Sequence, residues 1–254
     1  LVFGKEKIVR LETGPMLFAR QSETSLTGNS VFGYPGYFMG ARKEYHENAH
    51  FYYKNSVNLR YDFPVKKRPF YAPEPMWPVR AIKTNKRRHF DVMIASEFRL
   101  TGGTTASNIE EIRAQRQNGL TTGLLQINRY NISSASGINE KVREEIDGES
   151  VEMIVYGEEV SCDLLIVRHP PILQHFQVNL PKVFPNEVLV IVNQPPFRDY
   201  GTEGARIYDF SVCQSNLIKY FGKKGIWFPI GPLVREAVLK EKDINKIINF
   251  STEN

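Results

Sequence analysis

Two cysteines among 254 residues, Cys162 and Cys213, are too few to staple a fold of this length. Both lie in or beside apolar, strand-like runs, so they read as buried free thiols of a reducing compartment and not as a disulfide. No uninterrupted apolar run approaches the ~20 residues that a membrane-spanning helix needs, so a soluble, cytoplasmic chain is expected. The sequence has no H-E-x-x-H, no paired C-x-x-C, no G-x-S-x-G and no P-loop lysine. Metal, serine-hydrolase and P-loop chemistry are therefore unsupported, and no metal or resident cofactor is expected. Internal repeats and low-complexity segments are also missing. What remains is an ordinary globular composition, 41% hydrophobic and 24% charged, enough for one large or two modest domains. Net charge is +5. That excess suits an anionic substrate, or peripheral contact with an acidic membrane face, and does not demand nucleic acid.

The most informative stretch runs from Phe90 to Gly119. Val92 to Ala95 is short, apolar and continuous, the pattern of a strand buried on both faces. It opens into Thr101-Gly-Gly-Thr-Thr105, followed by Ser107-Asn-Ile-Glu110, which has capping-box spacing and predicts a helix start at Ser107. Asn118-Gly119 supplies the stop. A strand, a glycine loop and a helix in that order make an anion or sugar-oxygen site, because Gly102 and Gly103 admit close approach and the helix amides point outward. The structural alternative is a tight turn with no ligand. A dinucleotide fingerprint needs G-x-G-x-x-G and an acidic residue after the second strand; this loop has adjacent glycines, and Asn128-Arg129 stand where the acid belongs, which disfavours an NAD enzyme.

Residues 1–85 hold half of the chain's aromatic residues, among them Tyr52, Tyr53, Phe70 and Trp77, interspersed with glycine and proline. A small β-rich region is expected there, its aromatics serving as core or as a surface for sugar rings. Beyond Phe90, strands fit Thr122 to Asn128, Val151 to Tyr156, the run Cys162 to Pro171 that its two prolines end, Val188 to Val192 and Ile226 to Pro232, with Ser211 to Cys213 preceding a helix. Helices fit Ile138 to Ile146 and Ser215 to Phe221. The alternation predicts an α/β fold, a Rossmann-like doubly wound parallel sheet over residues 86–235, with 236–254 leaving as a helix and linker.

In a parallel sheet the strand ends Glu97-Phe-Arg99, Arg168-His169 and Asn193 gather beside Gly102, Gly103, Thr104 and Thr105. His169 is the candidate catalytic residue, as a general base or a donor to a sugar hydroxyl; the alternative is a histidine that only caps its strand. Arg99 and Arg168 suit phosphate, or else pair with Glu97 or Asp163 in structural salt bridges. Asn193 suits a hydroxyl.

The segments Asp91–Asn108, Gly119–Gln126, Leu164–Pro171 and Trp227–Arg235 resemble the N-terminal half of bacterial glycosyltransferases of the two-Rossmann, GT-B type that build cell-surface polysaccharide or teichoic acid. The resemblance implies that this portion supplies the acceptor side of a cleft, that a nucleotide sugar is the donor substrate, and that the donor is held mainly by a second domain reached through 236–254. It further implies that Gly102 and Gly103 face the donor phosphates or acceptor across the cleft, that His169 lies near the reacting sugar, and that this portion alone is inactive. The partner would be a glycan or polyol-phosphate acceptor. A non-catalytic glycan-binding or assembly module is the other reading.

Overall fold

The apolar run at Val92 becomes the centre of a seven-stranded, all-parallel sheet in the computed structural model of the chain, which describes residues 40–59, 64, 68–77, 87–133, 135–198 and 204–251. The strands are β1 (Arg88–Ser96), β2 (Thr122–Gln126), β3 (Val151–Ile154), β4 (Glu159–Arg168), β5 (Lys182–Val192), β6 (Ile226–Pro229) and β7 (Asn249–Phe250). Their order is β3-β2-β1-β4-β5-β6-β7. The chain thus winds outward from β1 in one direction and from β4 in the other, and the reversal falls between those two central strands. This is the expected doubly wound arrangement, with β1 and β4 in register from Arg88 opposite Val160 to Ala95 opposite Val167.

Continuous apolar runs make such strands because both faces are covered. On one face Met93, Leu125, Leu165 and Val190 pack with Cys213, Leu217 and Phe221 of α4 (Phe210–Phe221) and with Trp227. On the other, Ile94 and Leu124 meet Ile109 and Ile112 of α2 (Gly103–Gln117), Val142 of α3 (Glu140–Arg143) and Ala41 of α1 (Ala41–Asn55). Neighbours along one strand divide between the two cores, as the period of two requires. Both cysteines are free and fully buried, and burial pushes their thiols up, Cys162 to about 12. They are core atoms without nucleophilic character at neutral pH.

Four expectations need correction. Residues 41–55, placed in a β-rich region, form the 15-residue helix α1; the remainder of 1–39 lies outside the described residues. Helix α2 begins at Gly103, four residues before the expected cap, and Ser107 lies within it; Asn118 and a left-handed Gly119 end it as expected. Ser211 to Cys213, expected to precede a helix that starts at Ser215, belongs to that helix. It is the first turn of α4, because the Asp209 carboxylate accepts from the amides of Ser211 and Val212. Finally, the chain after Pro232 does not leave the sheet. It forms α5 (Pro232–Leu239) and α6 (Ile244–Ile247), buries Ile244 and Ile248 in the core, and adds β7 beside β6.

Charge fastens the amino ends of the central strands. Arg88 at the start of β1 pairs with Glu152 of β3 and with Glu158 just before β4, both at 2.5 Å. Burial pushes the Glu158 carboxyl up to about 8, the Arg88 guanidinium offsetting only part of it. With that end occupied by its own ion cluster, ligand chemistry is left to the carboxyl edge.

Candidate functional site

The carboxyl edge at the β1/β4 reversal is where an open parallel sheet presents its ligands. Between β1 and α2 the loop Glu97 to Gly102 is tied down from within. The Thr105 hydroxyl donates to the Leu100 carbonyl and the Asn139 side chain donates to the same oxygen. Gly102 caps α2 with extended backbone, φ −98 and ψ −157, and a Cβ built at Gly102 or Gly103 would meet nothing within 4 Å. Neither backbone conformation nor packing requires glycine at these positions. What the two glycines leave is open ground before the helix start. Among the described residues no side chain or carbonyl accepts from the amides of Gly103 and Thr104. Those donors sit at the positive end of the helix dipole.

A chain of polar side chains crosses the edge from this point. The Asn193 amide, just past β5, donates to the Thr104 hydroxyl at 2.8 Å, and its Oδ1 lies 3.3 Å from Nδ1 of His169, just past β4. Nε2 of His169 lies 3.3 Å from Nη1 of Arg129, beyond β2. Since Arg129 can only donate and Asn193 Oδ1 can only accept, the network assigns the imidazole its proton on Nδ1 and its lone pair to Arg129. His169 is 4% exposed and holds left-handed backbone at φ 70, uncommon outside glycine, where Pro170-Pro171 turn the chain into a 3-10 helix (Pro170–Leu173). The Asn193, His169 and Arg129 contacts together fix Thr104 at the mouth of the loop.

Burial first, and then the Arg129 charge, push His169 down to about 4, the Asn193 contact offsetting a part. The imidazole is neutral at physiological pH. Because its folded pKa lies below the unfolded value near 6.5, its contribution to stability is present above that value and is lost as pH falls from ~6.5 toward 4. Wild type is expected to lose about 2 kcal/mol from this group between pH 7 and pH 5. His169→Asn, which tolerates left-handed backbone, removes that part of the slope. Urea unfolding of both proteins at the two pH values measures it; parallel slopes would refute the buried neutral imidazole.

The chain matches no protein-family model, no curated protein and no solved structure.

The site is therefore argued from its own geometry. Gly102, Gly103, Thr104, His169 and Asn193 come together as the sequence implied. Thr105 serves the loop. Glu97 and Arg99 meet each other, with the guanidinium Nη2 2.6 Å from Glu97 Oε2, the salt-bridge alternative for Arg99. Arg168 turns away from Asp163 and pairs with Glu111 of α2. Asp163 instead accepts from the Asn186 amide at 2.8 Å. Three residues were missed: Arg129, Gln126 and Glu111. Gln126 ends β2 and Arg129 follows just beyond it, and the rule that picked out the ends of β1, β4 and β5 applies to them equally. Glu111 had no signal, since it lies inside a helix and its role arises only from docking.

Proposed function

We propose that this chain is the acceptor-side portion of a glycosyltransferase that moves a sugar from a nucleotide-sugar donor to a cell-surface glycan or teichoic-acid-like acceptor. The observation that carries the reading is the convergence, at the strand-order reversal, of the open Gly102–Gly103 helix start with the Thr104, Asn193 and His169 side chains. Outward amides and hydroxyl and amide groups suit phosphate and sugar oxygens. In this reading Thr104 and Asn193 hold acceptor hydroxyls. His169 positions Asn193 and becomes a base for an acceptor hydroxyl when that hydroxyl takes the place of Arg129 at Nε2. The nucleotide sugar is held mainly by a second domain of the kind the resemblance implies. Work at the cytoplasmic face of a membrane fits the basic net charge, and no helix among the described residues is long and apolar enough to cross one.

Calorimetric titration with polyol-phosphate or glycan oligomers, UDP-sugars and NADH tests the reading. Oligomers are expected to bind, with affinity falling tenfold or more in Asn193→Ala, the cost of about one hydrogen-bonded anchor. UDP-sugars are expected to bind weakly or not at all. Tight NADH binding, or sugar transfer by this chain alone, overturns it. A non-catalytic glycan-binding module predicts the same oligomer binding with no effect of Asn193→Ala.

A further inference from the structure

Two segments at the carboxyl edge, 127–139 after β2 and 169–181 after β4, flank the end of β1 and contain no aspartate or glutamate. Side chains lock one to the other. Gln177 pairs with the backbone of Asn128 through both ends of its amide, Oε1 accepting from the Asn128 amide at 3.1 Å and Nε2 donating to the Asn128 carbonyl at 2.9 Å. The Tyr220 hydroxyl of α4 accepts from the Gln177 amide at 2.5 Å, and the Phe176 ring is stacked on Tyr220 with centroids 4.8 Å apart. The two segments thus present one fixed surface.

On that surface one aromatic ring and one cation are left over. Tyr130 is 74% exposed, and its ring meets His175 in a T-shaped contact at 4.6 Å, which leaves a face to solvent. The neighbouring Phe176 ring is already taken, by Tyr220 and by Nζ of Lys219 at 5.5 Å from its centroid. Arg129 is half-buried and its backbone amide is held by Glu97, but that carboxylate gives its charge to Arg99. Among the described residues the Arg129 guanidinium meets Nε2 of His169 alone, at 3.3 Å, and pairs with no carboxylate. A charge drawn partly out of water is normally paired.

We propose that Arg129 and Tyr130 form the subsite for an anionic sugar unit of the acceptor, its ring lying on the open face of Tyr130 and its phosphate or carboxylate paired with the Arg129 guanidinium. That the unit belongs to an acceptor rests on the function proposed above; binding of an anionic sugar does not. A sugar ring carries C–H groups on its faces and hydroxyls at its rim, so one aromatic ring beside hydrogen-bonding groups suits it, whereas a protein partner needs a far larger apolar patch. The forked donors of arginine match two oxygens of a phosphate or carboxylate, and neither segment holds an acid that would repel the ligand. An anion that draws Arg129 away also releases Nε2 of His169, the position an acceptor hydroxyl must take for the imidazole to act as its base. Ligand binding and exposure of the base are then one event.

The test titrates the whole chain with glucose 1-phosphate, glucuronate, glucose and UMP. At least one of the two anionic sugars is expected to bind tenfold or more tightly than glucose, and to lose tenfold or more in affinity both in Tyr130→Ala and in Arg129→Gln. Tyr130 is exposed and Arg129 pairs with no carboxylate among the described residues, so both variants are expected to keep their fold, checked by their unfolding midpoints. The imidazole resonances of His169 are expected to shift with the anionic sugar and not with glucose, a response that a merely structural Arg129 would not give. Binding of glucose 1-phosphate alone assigns the anion to a phosphate and binding of glucuronate alone to a carboxylate; either, or both, supports the site. No binding of either anionic sugar, unchanged affinity in either variant, His169 resonances that stay in place, or UMP binding more tightly than both sugars overturns the inference. Failure of the acceptor reading is a separate outcome, seen when Asn193→Ala leaves oligomer affinity unchanged, and it leaves the anionic-sugar result standing.

Discussion

Replacing Glu97 by alanine is expected to cost about 3–5 kcal/mol of folding stability, the range for breaking one side of a buried, hydrogen-bonded ion pair. Glu97 is completely buried and accepts from Nε of Arg99 at 2.7 Å, from the Arg99 amide at 3.1 Å, from the Gln126 side chain at 2.7 Å and from the Arg129 amide at 2.7 Å. Burial by itself would push this carboxyl up; the bonds from Arg99, Arg129 and Gln126 more than reverse it and hold it below the usual glutamate range. It is an ionised group in the interior, fixing two strand ends at once. With Glu97 gone, the Arg99 charge, 3% exposed, keeps among the described residues the carbonyls of Ile132 and Ser133 alone. An uncompensated guanidinium in that setting is what makes the loss large. A Glu97→Leu/Arg99→Met double variant is expected to recover a good part of it, since apolar replacement of both partners is often close to neutral.

Two measurements separate this structural role from ligand binding. Equilibrium unfolding in urea gives the stability change, and titration of glycan oligomers with the folded double variant gives the binding change. A Glu97→Ala loss below about 1 kcal/mol would mean that the pair is dispensable to the fold and available to a ligand, against the geometry of a fully saturated carboxylate. The same experiment reaches the candidate site, because the Arg129 amide is anchored by Glu97 while its guanidinium meets His169. Loosening Glu97 therefore also raises the disorder of the Thr104, Asn193 and His169 network.

The central strands were legible because burial on both faces leaves an uninterrupted apolar run, as at Val92 to Ala95 and Val188 to Val192. The strand ends that form the site follow from those runs, since once the sheet is parallel, Glu97, His169 and Asn193 must share an edge. Helix α1 was not legible. Its aromatic and histidine residues have middling helix propensity, and what makes the helix worthwhile, Glu44 and Asn48 against Arg143, comes from nearly a hundred residues away. The start of α2 was misplaced because a plausible capping box at Ser107 competes with an earlier start that only the Thr105 hydroxyl on Leu100 and the bond from the Thr105 amide to the Gly102 carbonyl reveal. The start of α4 was placed at Ser215 and lies at Phe210, because the cap that sets it, Asp209, stands ahead of the run Ser211-Val-Cys213. Arg168 illustrates the remaining class: its position at a strand end was read correctly and its partner was not, because Glu111 faces it only after α2 docks on the sheet.

Helix α1 should also be the part of the molecule most sensitive to one residue outside it. Arg143→Met is expected to destabilise the protein by about 3–5 kcal/mol, with much of the loss appearing as opening of α1. Arg143 is 4% exposed; its Nη1 donates to Glu44 and, at 2.8 Å, to Asn48 Oδ1, and its Nη2 donates to Glu47 at 2.5 Å. Burial would lower its proton affinity, but the Glu44 and Glu47 carboxylates outweigh that and hold the guanidinium firmly charged. The apolar contribution of α1 to the core is small, with Ala41 its only fully buried hydrophobic residue. Methionine fills the space of the arginine stem but leaves Glu44 buried without its cation, and α1 has little else to hold it against the sheet. Native-state hydrogen exchange is the decisive measurement. Amides of residues 41–55 are expected to lose protection in Arg143→Met while those of β1 and β4 keep theirs relative to global unfolding, and a further Glu44→Leu substitution should restore part of the protection. Unchanged protection across α1 would mean that Ala41 and the contacts of Tyr45 and Tyr52 with Phe70 hold the helix by themselves.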